Sequence, residues 1–274
     1  MGVCSDYRPR FGCCLSDCCL DSGRAKRYTC HMKSAVRGVK ALTFDVFGTV
    51  VDWRGSIVRE GAVWGREKGL DVDWGKFADL WRAGYKPSLD RVRRGDLPWT
   101  KLDVLHRKLL DGLLEEFRII GLSEEEKAYW NRVWHRLDPW PDAVEGLTRL
   151  KEKFTIATLS NGDFSLLVDI AKHAALPWDA IISSELFRRY KPDRENYLGA
   201  ADLLGCKPLE VIMVAAHPSD LNAARECGLK TAFVSRPLEH GAEHRASVAA
   251  TADSSAPAWD ITATDFLDLA AQLA

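Results

Sequence analysis

Hydrophobic positions fall into two regimes along the chain. The run VKALTFD (39–45) is apolar on both faces, the pattern of a strand buried inside a parallel sheet. Four later runs share that character: FTIATLS (154–160), AIISSE (180–185), VIMVAA (211–216) and TAFVSR (231–236). The intervals between them read as helices. DAVEGLTRLKEK precedes the second run and FSLLVDIAKHAA follows it. RENYLGAADLLG comes next, then DLNAARECG, whose Gly228 stands where a helix would stop. Strands and helices alternating at this spacing predict an α/β fold, a Rossmann-like core with a parallel sheet and helices on both faces. A short WDIT (259–262) and a last helix complete the edge.

Residues 54–137 break the alternation. Four amphipathic helical patterns, roughly 56–68, 74–86, 99–117 and 123–137, follow one another there without a strand. The span is too long for a simple crossover, where one helix suffices. It reads as an inserted α-helical cap, with DPWPD (138–142) returning the chain to the sheet. The predicted organisation is a core built from 39–53 and 138–274, a cap over 54–137 and a leader over 1–38. The Ala/Ser-rich 246–258 reads as a surface loop.

Composition narrows the function. In 274 residues, 38 Lys plus Arg balance 39 Asp plus Glu, which removes the electrostatic argument for a nucleic-acid partner. No apolar stretch approaches the roughly 20 residues a membrane helix needs. Six of the eight cysteines lie before Met32, whereas a disulfide-built secreted fold spreads them through the chain. The pairs Cys13–Cys14 and Cys18–Cys19 miss the C-x2-C spacing of structural zinc, and the segment has no secretory apolar region. It reads as a poorly ordered leader upstream of a functional start at Met32, and the remainder as a cytoplasmic protein. Eight of the ten tryptophans fall between Trp53 and Trp140. They suit a water-poor chamber under the cap, although ordinary helix packing explains most of them.

Open parallel sheets bind ligands at the carboxyl ends of their strands. The residues just past the strands are Asp45, then Ser160-Asn161-Gly162, then Lys191, then His217 and Asp220. An acid, a hydroxyl–amide pair, a base and a second acid would meet at one edge.

The elements FDVFGT (44–49), LSNG (159–162), YKPD (190–193) and the Asp of HPSD (217–220) resemble, in order and spacing, those of the haloacid dehalogenase superfamily. LWR (80–82), the full YKPD and Tyr197 narrow the resemblance to the L-2-haloacid dehalogenases. It spans about residues 39–270. It implies that Asp45 is a nucleophile forming an ester with substrate, and that Thr49 holds its carboxylate. Lys191 would keep Asp45 ionised, Tyr197 would orient the network, and Asp220 would orient Lys191 and help activate water. Ser160, Asn161 and the backbone N–H groups of Val46 and Phe47 would hold a small anion, and Arg82 would draw the halogen from carbon.

Three departures matter. Phosphatases of the superfamily carry a second Asp two residues after the nucleophile, to protonate the leaving alkoxide. This chain has Phe47, which suits a halide leaving group that needs no proton. HPSD supplies the single acid Asp220 where the magnesium-dependent relatives pair two, so no metal and no cofactor are expected. Close relatives carry Ser and Asn where this chain has Ala215 and His217, which would make the water-positioning group an imidazole able to accept a proton near neutral pH. The expected function is hydrolytic dehalogenation of short (S)-2-haloalkanoic acids to 2-hydroxy acids. A phosphatase or phosphonate hydrolase on this fold, and a non-catalytic binding protein, are the alternatives. The expected partner is a small halogenated carboxylic acid, with homodimerisation a family expectation.

Overall fold

The computed structural model describes residues 36–242 and 259–274. The Cys-rich run before Met32 and the loop predicted over 246–258 lie outside them. Five strands form one parallel sheet: β1 (Ala41–Phe44), β2 (Thr155–Thr158), β3 (Val211–Ala215), β4 (Lys230–Val234) and β5 (Ile261–Ala263). Their order is β2-β1-β3-β4-β5, all neighbours parallel. The order reverses at β1. The crevice between β1 and β3, where Asp45 emerges, is therefore the ligand-binding switch point of such a sheet. Every residue of β1 and β3 is buried, which is why both runs are apolar on both faces.

The run 180–185 forms no sheet strand. It touches the sheet through the isolated bridges Ala157–Ala180 and Ser160–Ser183, then turns into a 3-10 helix at Ser184–Leu186. Its β-like composition was legible. Its hydroxyl-rich end, where Ser183 and Ser184 bond Gly162 and Asn161, fixes a loop instead.

Between β1 and β2 lie α1 (Trp53–Lys68), α2 (Trp74–Arg93), α3 (Leu102–Glu116) and α4 (Glu124–Asn131). Asp52 and Asp73 cap α1 and α2, and Ser123 with Glu126 forms a capping box on α4. The predicted end of α2 at Lys86 was short. Pro87 lies inside the helix, and Ser88 Oγ donates to the carbonyl of Gly84 at 2.9 Å. A proline costs a helix one donor and usually marks its end, but burial of Leu89 and Val92 carries α2 on to Arg93. The fourth predicted helix tightens after Asn131 into a 3-10 turn, Arg132–His135. Beyond β2 come α6 (Phe164–His173), α7 (Arg194–Leu203), α8 (Pro218–Glu226) and α9 (Phe266–Gln272); α5 (Ala143–Lys151) precedes β2.

The tryptophans pack on one another. Trp64 stacks on Trp130 at 4.9 Å, Trp53 on Trp134 at 6.2 Å, and Trp134 meets Phe47 edge-on at 6.0 Å. They weld the helices after β1 to the turn that carries Asp45, forming one continuous apolar core.

Candidate active site

The turn after β1 carries the central group. Val46 is buried, and its carbonyl accepts from the backbone N–H of Val50 at 2.9 Å and of Val51 at 3.1 Å, curling the chain back on itself. Gly48 supplies the positive φ, 83°, that this curl needs. Two outside groups pin it: Trp140 Nε1 donates to the Gly48 carbonyl at 2.9 Å, and Arg236 Nε to the Thr49 carbonyl at 2.8 Å.

Asp45 is 7% exposed. Its Oδ1 accepts from Lys191 Nζ at 2.9 Å. Its Oδ2 accepts from Thr49 Oγ1 at 2.8 Å and lies 2.9 Å from His217 Nδ1. The Thr49 hydroxyl accepts the Ala216 N–H at 3.0 Å, which leaves its own proton aimed at Asp45. Burial alone would raise the Asp45 carboxyl, but Lys191 and His217 override it and hold the group far below the usual carboxylate range. Asp45 is ionised at any working pH.

Lys191 lies between two acids, its Nζ also 2.5 Å from Asp220 Oδ2. Burial opposes its charge, yet the carboxylates of Asp220 and Asp45 push its pKa above the ordinary lysine value. Tyr197 is fully buried and donates to Asp220 Oδ1 at 2.5 Å. Burial, joined by the nearby Asp45 charge, raises the Asp220 carboxyl. Two carboxylates bracketing one lysine are thus pushed in opposite directions, the arrangement that separates a nucleophile from a base.

A cavity of about 490 Å³ opens over this network. Asp45, Phe47, Arg82, Asn161, Lys191, Tyr197, His217 and Asp220 all reach its wall. Arg82 lies over the rings of Tyr85, at 4.4 Å, and Trp53, at 5.4 Å. These rings hold the guanidinium over the cavity, and among the described residues no carboxylate is hydrogen-bonded to it. Asn161 is committed to structure: its Oδ1 accepts from the Lys191 N–H at 2.7 Å and from Ser184 Oγ at 2.8 Å. Its Nδ2 donates to the Tyr85 hydroxyl at 3.1 Å, so the Tyr85 proton is available to a ligand. Ser160 is fully buried beneath the wall, its Oγ accepting the Gly162 N–H at 3.2 Å. Its local turn-making is what the structure displays. No tryptophan is among the residues lining this cavity.

His217 meets a carboxylate at each ring nitrogen. Its Nε2 lies 3.0 and 3.1 Å from the two oxygens of Glu239, a buried carboxylate in the loop after β4. Glu239 and Tyr85 were missed by sequence reasoning. Tyr85 lies one helical turn beyond Arg82, on the same face, and that spacing was a usable signal. Glu239 lies five residues past Val234, the end of β4, where the strand-end rule applies but no motif draws the eye.

Among the described residues no helix is long and apolar enough to cross a membrane, and no group of three or more His, Cys, Asp or Glu side chains is arranged to hold a metal ion.

Comparison with known proteins fits this geometry. Residues 39–228 match the haloacid dehalogenase-like hydrolases. The solved structure of a defluorinating L-2-haloacid dehalogenase is 48% identical, with a TM-score of 0.79 over 86% of this chain and 95% of that one. That of an L-2-haloacid dehalogenase from Xanthobacter autotrophicus, with chloropropionic acid covalently bound, is 25% identical, with a TM-score of 0.71 over 86% of this chain and 98% of that one. The (S)-2-haloacid dehalogenase of Xanthobacter autotrophicus is 29% identical over 72% of this chain and 76% of its own length. The chain belongs to the haloacid dehalogenase-like hydrolases and, within them, to the L-2-haloacid dehalogenases.

Proposed function

We propose that the protein hydrolyses short (S)-2-haloalkanoic acids to 2-hydroxy acids through an ester on Asp45. The observation that carries this reading is an ionised, buried Asp45 facing a cavity in which the residue two positions on is Phe47. A halide departs without a proton, so the missing acid costs this reaction nothing, whereas phosphate-ester cleavage needs it. The segment 54–137 acts as the cap, and Arg82 receives the departing halide as an always-charged, weakly hydrated cation. The substrate carboxylate lies toward Asn161 and Tyr85. Lys191 keeps Asp45 ionised for attack at the α-carbon, which inverts that centre.

The second step is attack of water on the Asp45 carboxyl carbon. Asp220, its basicity raised by burial, takes one water proton and returns it to the departing alkoxide. The aspartic acid that re-forms gives its proton to solvent. Metal takes no part in either step. The protein works in the cytoplasm, as a homodimer. Light scattering tests the dimer.

The experiment for the reaction is a single turnover with enzyme in excess over (S)-2-chloropropionate in ¹⁸O-water. The ester path places label in Asp45 and leaves the first hydroxy acid unlabelled. Label in that first product would replace it with direct attack by water, and absence of chloride release would return the binding-protein reading.

A further inference from the structure

His217 has both ring nitrogens engaged by carboxylates, Nδ1 by Asp45 and Nε2 by Glu239. An ionised carboxylate only accepts hydrogen bonds, so both contacts are satisfied only when both nitrogens carry protons. Three carboxylates, Asp45, Asp220 and Glu239, then face three cations, Lys191, His217 and Arg82, and the buried site is charge-balanced. A ring in that state has no lone pair with which to take a proton from water. Its Nδ1–H points at Asp45 Oδ2, the oxygen that Thr49 also bonds. Two donors blunt the nucleophilicity of Oδ2, while Oδ1 carries the single Lys191 contact, so Oδ1 is the attacking atom and Oδ2 becomes the ester carbonyl oxygen.

Resting on the Asp45-ester reading, we propose that Glu239 is a positioning residue that keeps His217 doubly protonated, so that His217 Nδ1–H and Thr49 Oγ1–H form an oxyanion hole around Asp45 Oδ2 during ester hydrolysis. Water adds to the Asp45 carboxyl carbon, passing a proton to Asp220, and the carbonyl π pair moves onto Oδ2. The pair then returns, the bond from that carbon to Oδ1 breaks, and the alkoxide leaves with the proton from Asp220. The donors lie 2.8 and 2.9 Å from Oδ2, within the range an oxyanion hole requires.

The surroundings support the assignment. Burial disfavours the imidazolium, but Glu239 and then Asp45 outweigh it and push His217 up to about 10. Burial disfavours the Glu239 carboxylate as well, and His217, with Arg82 and His240 farther off, keeps it ionised. Trp53 Nε1 donates to Glu239 Oε1 at 3.2 Å and fixes the side chain in place. On the Asp45 side the further charges are Lys191 and Asp220.

The test is the pH dependence of ester hydrolysis, read separately from halide release by rapid quench and intact mass over pH 5.5–10.5, in the wild type and in Glu239→Gln. An electrophilic His217 loses function when it deprotonates. Wild-type hydrolysis should therefore hold level from pH 6 to 9, while in Glu239→Gln it falls with rising pH. The fall should be of about 10²-fold, the scale of losing one oxyanion donor. Halide release should change several-fold less, and the His217 ring, followed by ¹⁵N NMR, should titrate at lower pH in Glu239→Gln than in the wild type. Hydrolysis that rises with pH through the His217 titration, in either protein, would make the ring a general base and overturn the proposal, as would a neutral His217 ring in the wild type at pH 7. If Glu239→Gln does not fold, the wild-type profile and ring titration decide the matter alone. Wild type that releases no halide removes the dehalogenase reading itself, and the proposal with it.

Discussion

Gly48 and Glu239 are matched in shape. A Cβ placed on Gly48 would overlap the Glu239 carboxylate, so a carboxylate from the loop after β4 rests on a bare backbone four residues before Asp52, the cap of α1. Glycine is required there twice over, for that approach and for its φ of 83°.

Gly48→Ala is therefore expected to cost about 1–3 kcal/mol in stability from the backbone alone, the ordinary range for a non-glycine residue held at positive φ. It should also displace Glu239 from His217. Ester hydrolysis should slow more than halide release at pH 8, measured in the same single-turnover format. An alanine variant with wild-type melting temperature and both rates unchanged would mean that the Gly48–Glu239 contact has no consequence.

Much of this site was legible because its residues stand at strand ends. Asp45, Asn161 and His217 with Asp220 follow β1, β2 and β3, and the parallel sheet brings those ends together whatever the intervening sequence. Lys191 arrives from the 180–185 run, which is no strand of the sheet but is held beside it by the Ala157–Ala180 and Ser160–Ser183 bridges. Ser160 shared the position but faces inward, since one residue along a chain leaving a strand changes the side on which a side chain lies. Glu239 was hidden for the opposite reason. It sits in an irregular loop, where no periodicity reports direction, and its partner His217 looked complete on its own. The end of α2 was misjudged because a local rule about proline met a tertiary contact that outweighed it.

Arg82 should tolerate lysine poorly. The guanidinium is held over Tyr85 and Trp53 by cation–π contacts worth about 0.5–2 kcal/mol, and an ammonium on a flexible stem keeps the charge without that placement. Arg82→Lys is expected to slow halide release about tenfold or more, consistent with losing roughly 1.4 kcal/mol of transition-state stabilisation. The loss should be larger for a 2-chloro than for a 2-bromo substrate, since the poorer leaving group depends more on help. Equal losses for both halides would assign Arg82 to carboxylate binding instead.

Asp163 ties α6 to α3. It accepts the backbone N–H groups of Leu102 and Asp103, both at 2.9 Å, and so caps a helix that lacks a side-chain cap of its own. Asp163→Ala is expected to lower stability by about 1–2 kcal/mol, the usual cost of removing a cap. Asp163→Asn, which keeps one acceptor, should cost less. Urea denaturation of the three proteins decides this, and an alanine variant as stable as the wild type would deny the cap any weight.

Chelation should leave the enzyme intact. Lys191 already bridges Asp45 and Asp220, and Phe47 stands where a further carboxylate would be needed. Halide release in EDTA should stay within about twofold of the untreated rate, a difference of less than ~0.5 kcal/mol. Activity lost to EDTA and restored by Mg²⁺ would place the enzyme with the metal-dependent phosphatases of its superfamily.

The His217 network also sets how stability should vary with pH. His217 is raised in the folded protein to about 10, from an ordinary value of 6.5. A raised cationic group stabilises the fold fully below its unfolded pKa and loses that contribution as pH climbs through the folded one. The window is therefore pH 6.5 to 10. Asp45 runs the other way: its lowered carboxyl stabilises above 3.8 and loses that contribution only in strong acid, so it is constant across the same window. Comparing the wild type with His217→Asn cancels most other titrations. The melting-temperature advantage of the wild type over His217→Asn should be large at pH 7 and shrink steadily toward pH 10. Asp45, still paired with Lys191, stays ionised in both proteins, so the trend reports the imidazolium together with the Glu239 carboxylate that it keeps charged. An advantage that is flat across the window would mean that the ring is not charged in the folded state. One that grows with pH would mean that folding favours the neutral ring, and with it the general-base reading of His217.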